Sequence, residues 1–187
     1  MKKTNKITWK VKSSKIVHKN PFYSIVADEI VRQDDSKGTS YVAKIVNFTA
    51  IFAFEDNQVY LVGQYRHPIR EYCWEIPEGR IDKNETPLAG AKRELLEETG
   101  LTAKKWDFLG KFASCNGHCS QLGYVYLAQN LKKVSQKLGK DEGEILELKK
   151  IPLSELKKLV YNGKITDAGT IIGLHYYQSY KKAKLKK

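Results

Sequence analysis

Two apolar periods run along this chain, and they occupy different stretches. Near the start, Ile7, Trp9 and Val11 alternate with Thr8, Lys10 and Lys12, the two-residue period of a half-buried strand. A second apolar run, Tyr23 to Val31, ends in the polar segment Arg32-Gln33-Asp34-Asp35-Ser36-Lys37-Gly38. A third, Tyr41 to Val46, is placed to return antiparallel to the second. Thr49 to Phe54 and Val59 to Tyr65 flank Asp56-Asn57 and predict a hairpin with a short polar turn. Trp106 to Ala113 and Tyr124 to Ala128 predict two further strands on either side of a polar loop, Ser114 to Ser120.

The helical period appears after Thr86. Leu88, Ala91 and Leu95 recur at three- and four-residue steps, which makes one stripe to bury. Thr86 suits the cap, Pro87 the first helical position and Gly100 the left-handed stop. Pro152 to Tyr161 carries Leu153, Leu156 and Leu159/Val160 on one face and ends at Asn162-Gly163. Asp167 is placed to cap a last helix through Ile171, Leu174 and Tyr177 into a lysine-rich tail.

Composition narrows the class. A chain of 187 residues can bury roughly 70% of its unfolded surface in one core. No apolar run approaches the ~20 residues of a membrane span, and the charged start is not followed by an apolar signal core. The expectation is a cytoplasmic protein with no membrane partner. Three cysteines do not suggest a disulfide framework. Cys115, His118 and Cys119 lack an evident fourth ligand for zinc. The net charge of +12 suits an anionic substrate or nucleic acid, but much of it lies in terminal lysines and weighs little for either.

The candidate chemistry lies on the first helix. Glu94, Glu97 and Glu98 share a side away from the apolar stripe, because residues three and four apart are neighbours on a helix. Three neighbouring carboxylates repel one another and raise each other's pKa values. Either they form a solvated acidic face or a cation sits among them; oxygen-only ligands favour Mg²⁺ or Mn²⁺.

The wider pattern favours the cation. Gly79, five residues, Glu85, seven residues, then Arg93-Glu94-Leu95-Leu96-Glu97-Glu98-Thr99-Gly100-Leu101 resembles the Nudix box at every defined position. Gln64-Tyr65-Arg66 and Glu75-Ile76-Pro77-Glu78-Gly79 resemble the ADP-ribose pyrophosphatase branch, with Glu78 where alanine is usual. Gly163 to Thr170 resembles that branch's G-x-I-x-D-x-x-T stretch, whereas Asn116-Gly117 stands where it usually has Pro-Gly.

The resemblance implies a Nudix α/β/α sandwich with a mixed sheet over residues 46–187. It also implies an N-terminal antiparallel sheet extension over 1–45 that builds a homodimer. Metal ligands would be Glu94, Glu97, Glu98, Glu144 and the Glu78 carbonyl, holding Mg²⁺ with Mn²⁺ as a substitute. Glu142 would be the general base, with Glu97 as competitor. Arg93 would pair with Glu85 and orient carboxylates, while Arg66, Glu75 and Asn116 would meet substrate; a guanidinium suits paired phosphate oxygens. The implied reaction is hydrolysis of a nucleoside diphosphate sugar, ADP-ribose favoured, to AMP and ribose 5-phosphate. Another NDP-sugar, a dinucleoside polyphosphate, a capped RNA end, or a silent nucleotide- or RNA-binding module are the alternatives.

Overall fold

The computed structural model describes residues 8–134 and 147–185. The chain divides into two compact units, one of residues up to Val46 with Ala113–Gln121, the other of Asn47–Phe112 with Leu122 onward.

In the first unit β1 (Lys10–Lys19), β2 (Tyr23–Val31) and β3 (Lys37–Ile45) form an antiparallel sheet in that order. Asn20 shapes the first turn, its Oδ1 accepting the N–H groups of Phe22 and Tyr23 at 2.8 and 2.9 Å. Arg32 N–H closes the second turn on Ser36 O at 2.9 Å, with Asp35 at φ 61°. The expected half-buried first strand is corrected here. Its alternation is present, but all ten residues of β1 are exposed.

The second unit is layered around β4 (Phe48–Glu55). Successive β4 residues point to opposite faces, and both faces are covered, so the strand reads as a nearly unbroken apolar run. Ala50 and Phe52 belong to a core with Val125, Leu127, Leu156, Leu174 and Tyr177. Ile51 and Ala53 belong to a second core with Ala91, Leu95, Leu101 and Ala128. The Phe52 and Tyr177 rings stack with centroids 4.7 Å apart.

β4 turns into β5 (Gln58–Arg66) through Asp56 and Asn57, both at positive φ (50° and 60°), as a two-residue hairpin turn requires. β4 pairs in parallel with β9 (Leu122–Lys133), and β5 pairs antiparallel with β10 (Glu147–Pro152). The path runs β10-β5-β4-β9, and β8 (Leu101–Ala113) lies next to β9. Two short strands complete the sheet: β6 (Glu71–Glu75) on β5 and β7 (Glu78–Arg80) on β4.

One helix, α1 (Pro87–Thr99), covers one face; α2 (Leu153–Tyr161) and α3 (Ala168–Lys184) supply the other. This is the mixed-sheet α/β/α sandwich expected from the sequence. In α3 the Asp167 side chain accepts the Thr170 N–H, and Lys181, Lys182 and Lys184 oppose the helix dipole at the far end.

Candidate active site

The first turn of α1 is fixed locally. Thr86 Oγ accepts the Ala89 N–H at 3.2 Å, Pro87 follows, and the Gly100 N–H closes the last turn on Leu96 O at 2.9 Å. The helix then presents Arg93 to everything acidic around it. Its Nε and Nη2 grip the two oxygens of Glu85 at 3.1 and 2.9 Å, and Nη2 also donates to Arg80 O at 2.7 Å. Nη1 donates to Glu94 Oε1 at 2.6 Å and to Glu97 Oε2 at 3.1 Å. The Glu85 hydrogen bonds, with those of Glu94 and Glu97, raise the Arg93 pKa and keep the guanidinium charged. Arg93 thus ties the loop before α1 to the helix and holds two of the helix carboxylates.

Glu98 is 8% exposed, and its Oε2 accepts the Glu78 N–H at 2.9 Å, so the α1 acids meet β7 directly. Glu94 lies against Gly79 so closely that a β-carbon on Gly79 would overlap its carboxylate. Burial raises the Glu94 pKa, Arg93 opposes the rise, and Glu97 adds to it. The three helix glutamates therefore do not converge on one point. Glu94 and Glu97 share Arg93, while Glu98 turns to the β7 backbone.

A second acidic group faces them from the sheet. Arg66, at the end of β5, donates Nε to Glu75 Oε1 and Oε2 at 2.9 and 3.1 Å, and its Nη2 also bonds Glu75 Oε2. The same Nη2 lies 3.5 Å from Glu78 Oε1. Nη1 makes no hydrogen bond among the described residues. Glu75, first in raising the Arg66 pKa, keeps that guanidinium charged. Glu75, Glu78 and Asp167 each bring a carboxylate oxygen within 4.8 Å of the other two. They line a cavity of about 400 Å³ with Arg66, Pro68 and Ile69. Burial, then the neighbouring Asp167 and Glu75 carboxylates, raises the Glu78 pKa well above the usual range.

The structure thus brings Arg66, Glu75 and Glu78 to one cavity, and Glu94, Glu97 and Glu98 to one helix face beside β7. Asn116 is exposed in the turn closed by the His118 and Cys119 N–H groups on Cys115 O, within the other compact unit. Glu142 and Glu144 lie outside the described residues. Two features escaped the sequence reading. Asp167 was legible as a helix cap, but nothing local shows that the cap also faces Glu75. Glu78 was assigned only a backbone role, whereas its side chain sits beside Arg66.

Comparison with known proteins places this geometry. A family model described as the NUDIX domain matches residues 44–169. A methanol dehydrogenase activator of Bacillus methanolicus is 34% identical over 123 residues, which span 66% of this chain and 66% of that protein. An ADP-ribose pyrophosphatase of Bacillus subtilis (strain 168) is 34% identical over 138 residues, 73% of this chain and 75% of that one. A crystal structure described as an ADP compounds hydrolase superposes with a TM-score of 0.83, covering 94% of this chain and 95% of its own. At 20% sequence identity that likeness speaks for the fold alone.

Proposed function

Because the chain belongs to the Nudix family, we propose that it is a pyrophosphohydrolase acting on a nucleoside diphosphate sugar. ADP-ribose is the favoured substrate, with AMP and ribose 5-phosphate as products. The similarity to a protein named as an ADP-ribose pyrophosphatase supports this choice. The observation that carries the reading is the arrangement of the α1 acids. Arg93 steers Glu94 and Glu97, and Glu98 is pinned to the backbone of Glu78.

The donor set fits a hard divalent ion. Every candidate ligand is oxygen, and one guanidinium nitrogen, Arg93 Nη1, serves both Glu94 and Glu97. Glu94, Glu97, Glu98, Glu144 and the Glu78 carbonyl would hold Mg²⁺, or Mn²⁺ in its place, supplying charge neutralisation at the diphosphate and a more acidic water. The chain's own groups do the rest. Arg93 keeps Glu94 and Glu97 in position, and Arg66 offers Nη1 to a phosphate oxygen. Glu142 takes the proton of the attacking water, with Glu97 as the competing base. Fixed positive groups around a phosphate of shifting charge supply most of the rate.

We assign the three-stranded N-terminal sheet to a homodimer interface, since β1 lies exposed along its whole length. Among the described residues no helix is long and apolar enough to cross a membrane.

A panel of nucleoside diphosphate sugars assayed with and without Mg²⁺ tests the reaction. Glu98→Gln should abolish most turnover and leave the thermal melt nearly unchanged; full turnover in that variant overturns the metal assignment. The similarity to a protein named as an activator favours a second reading, a regulatory module that binds nucleotide without turning it over. Nucleotide binding with no hydrolysis anywhere in the panel would establish it.

A further inference from the structure

A second cavity, of about 420 Å³, lies where the C-terminal half of α3 meets the first half of α2. Its size falls within the roughly 300–1,000 Å³ typical of small-molecule sites. Tyr177 in its lining lies ten residues along α3 from Asp167 in the Arg66 cavity, a rise of about 15 Å, so the two cavities are separate. Four-residue spacing builds the walls. Tyr177, Lys181 and Leu185 share one side of α3, and Leu153 and Lys157 share one side of α2.

The charge in this cavity is of one sign. Lys157, Lys181 and Lys182 line it, and among the described residues no carboxylate does. None of the three forms an ion pair among those residues. Lysines near the end of a chain are ordinarily a solvated tail, yet these two on α3 meet a third from another helix across an enclosed space. Lys184, by contrast, turns to the Tyr180 ring, 4.7 Å from its centroid. The C-terminus of α3 contributes only about −0.5 of a charge, which three ammonium groups outweigh. Like charges gathered without an acid repel one another, and an anion relieves that repulsion.

The rest of the lining is not what a bare anion needs. Leu153 and Tyr177 are buried at its floor, and Leu185 is exposed at its rim. The Tyr177 ring is held by Phe52 and Phe54, with centroids 4.7 and 4.8 Å away. Gln178 Nε2 donates to Tyr161 Oη at 3.4 Å, which leaves the Gln178 Oε1 as an acceptor. Cations, apolar floor and amide acceptor together match a phosphate joined to a flat ring that carries N–H donors.

We propose that this cavity binds a nucleoside 5′-monophosphate, with Lys157, Lys181 and Lys182 on the phosphate and the base over Leu153 and Leu185, an N–H of the base donating to Gln178 Oε1. Lysine ammonium groups act as point charges and suit a phosphate dianion that needs no single orientation. Inorganic phosphate would satisfy the lysines and leave the apolar floor wet. An uncharged nucleoside would cover the floor and leave the lysines facing one another.

Amide chemical-shift titration of the full chain, with EDTA present to remove divalent ions, locates and ranks the ligands. AMP at millimolar concentration should move the amides of Lys157, Gln178, Lys181 and Lys182 saturably. Adenosine and inorganic phosphate should each bind there about ten-fold more weakly or worse, a loss of about 1.4 kcal/mol. Lys181→Glu reverses an exposed charge and should weaken AMP by about ten-fold or more, with the core amides of Phe52 and Leu127 unmoved. Lys181→Arg keeps the charge and should bind as wild type does. Added salt should weaken AMP binding, since exposed charges are screened. The proposal is overturned if AMP leaves these amides unmoved or moves only those around Arg66. It is equally overturned if inorganic phosphate or adenosine binds as well as AMP, or if Lys181→Glu keeps the wild-type affinity.

Discussion

The backbone N–H of Ile76 donates to Thr170 Oγ at 2.9 Å, and both residues are fully buried. The Thr170 hydroxyl in turn donates a hydrogen bond to Asp167 Oδ2 at 2.7 Å. One side chain therefore fastens the bend between β6 and β7, which carries Glu75 and Glu78, to the first turn of α3. Thr170→Val keeps the shape but leaves a buried N–H without an acceptor. It should lower unfolding stability by about 1–3 kcal/mol, measured by urea titration. Thr170→Ser keeps both hydrogen bonds and should lose about 1 kcal/mol, the contribution of one buried methyl. Equal losses in the two variants would show that the hydrogen bonds contribute nothing.

Gly79 is required by proximity, since its φ is not in the left-handed region. A β-carbon there would displace the Glu94 carboxylate from β7 and from Arg93. Gly79→Ala should therefore weaken divalent-cation dependence, raising the Mg²⁺ concentration for half-maximal turnover by about ten-fold or more, the scale set by losing support around a metal ligand. A Mg²⁺ titration of initial rates measures this, and an unshifted midpoint would mean that Glu94 is not a ligand.

Arg93 spreads its donors over Glu85, Glu94, Glu97 and the Arg80 carbonyl. A lysine keeps the charge and loses the fork. Arg93→Lys should cost about 10–100-fold in turnover, in the range found when groups that orient metal ligands are replaced. Turnover within two-fold of wild type would show that charge alone suffices.

What the sequence revealed and what it concealed divide along one physical line. The ends of α1 were legible because Thr86, Pro87 and Gly100 act on their own neighbours. The β4–β5 hairpin was legible because Asp56-Asn57 tolerates the positive φ its turn needs. β6 and β7 carry no apolar period and exist because Glu75 pairs with Val62 and Glu78 with Ala50, contacts that no local pattern records. The Arg93–Glu85 pair was implied by the family resemblance, not by any local pattern. The approach of Asp167 to Glu78 depends on how α3 packs against the sheet. Glu78 and Asp167 each have a sufficient local role, as strand residue and helix cap, and those roles hid the cavity they share.

The alternation at the start of the chain is a signal of burial that the described residues leave unanswered. Val11, Ile16 and Val17 are half exposed, and Trp9 just before the strand is 54% exposed. Among the described residues β1 is also an edge of its sheet, pairing only with β2. Exposed apolar side chains on an open edge are an association surface unless another chain covers them. The lysines at 10, 12, 15 and 19 keep that edge charged, which disfavours open-ended stacking and leaves a closed pair as the stable outcome. Sedimentation velocity should therefore give a dimer at micromolar concentration. Ile16→Lys, which puts a charge into the apolar patch and removes nothing from the core, should shift the population to monomer with an unchanged far-ultraviolet spectrum. A wild-type protein that sediments as a monomer across that range would remove the sheet from the interface, and the exposure of β1 would then need another partner.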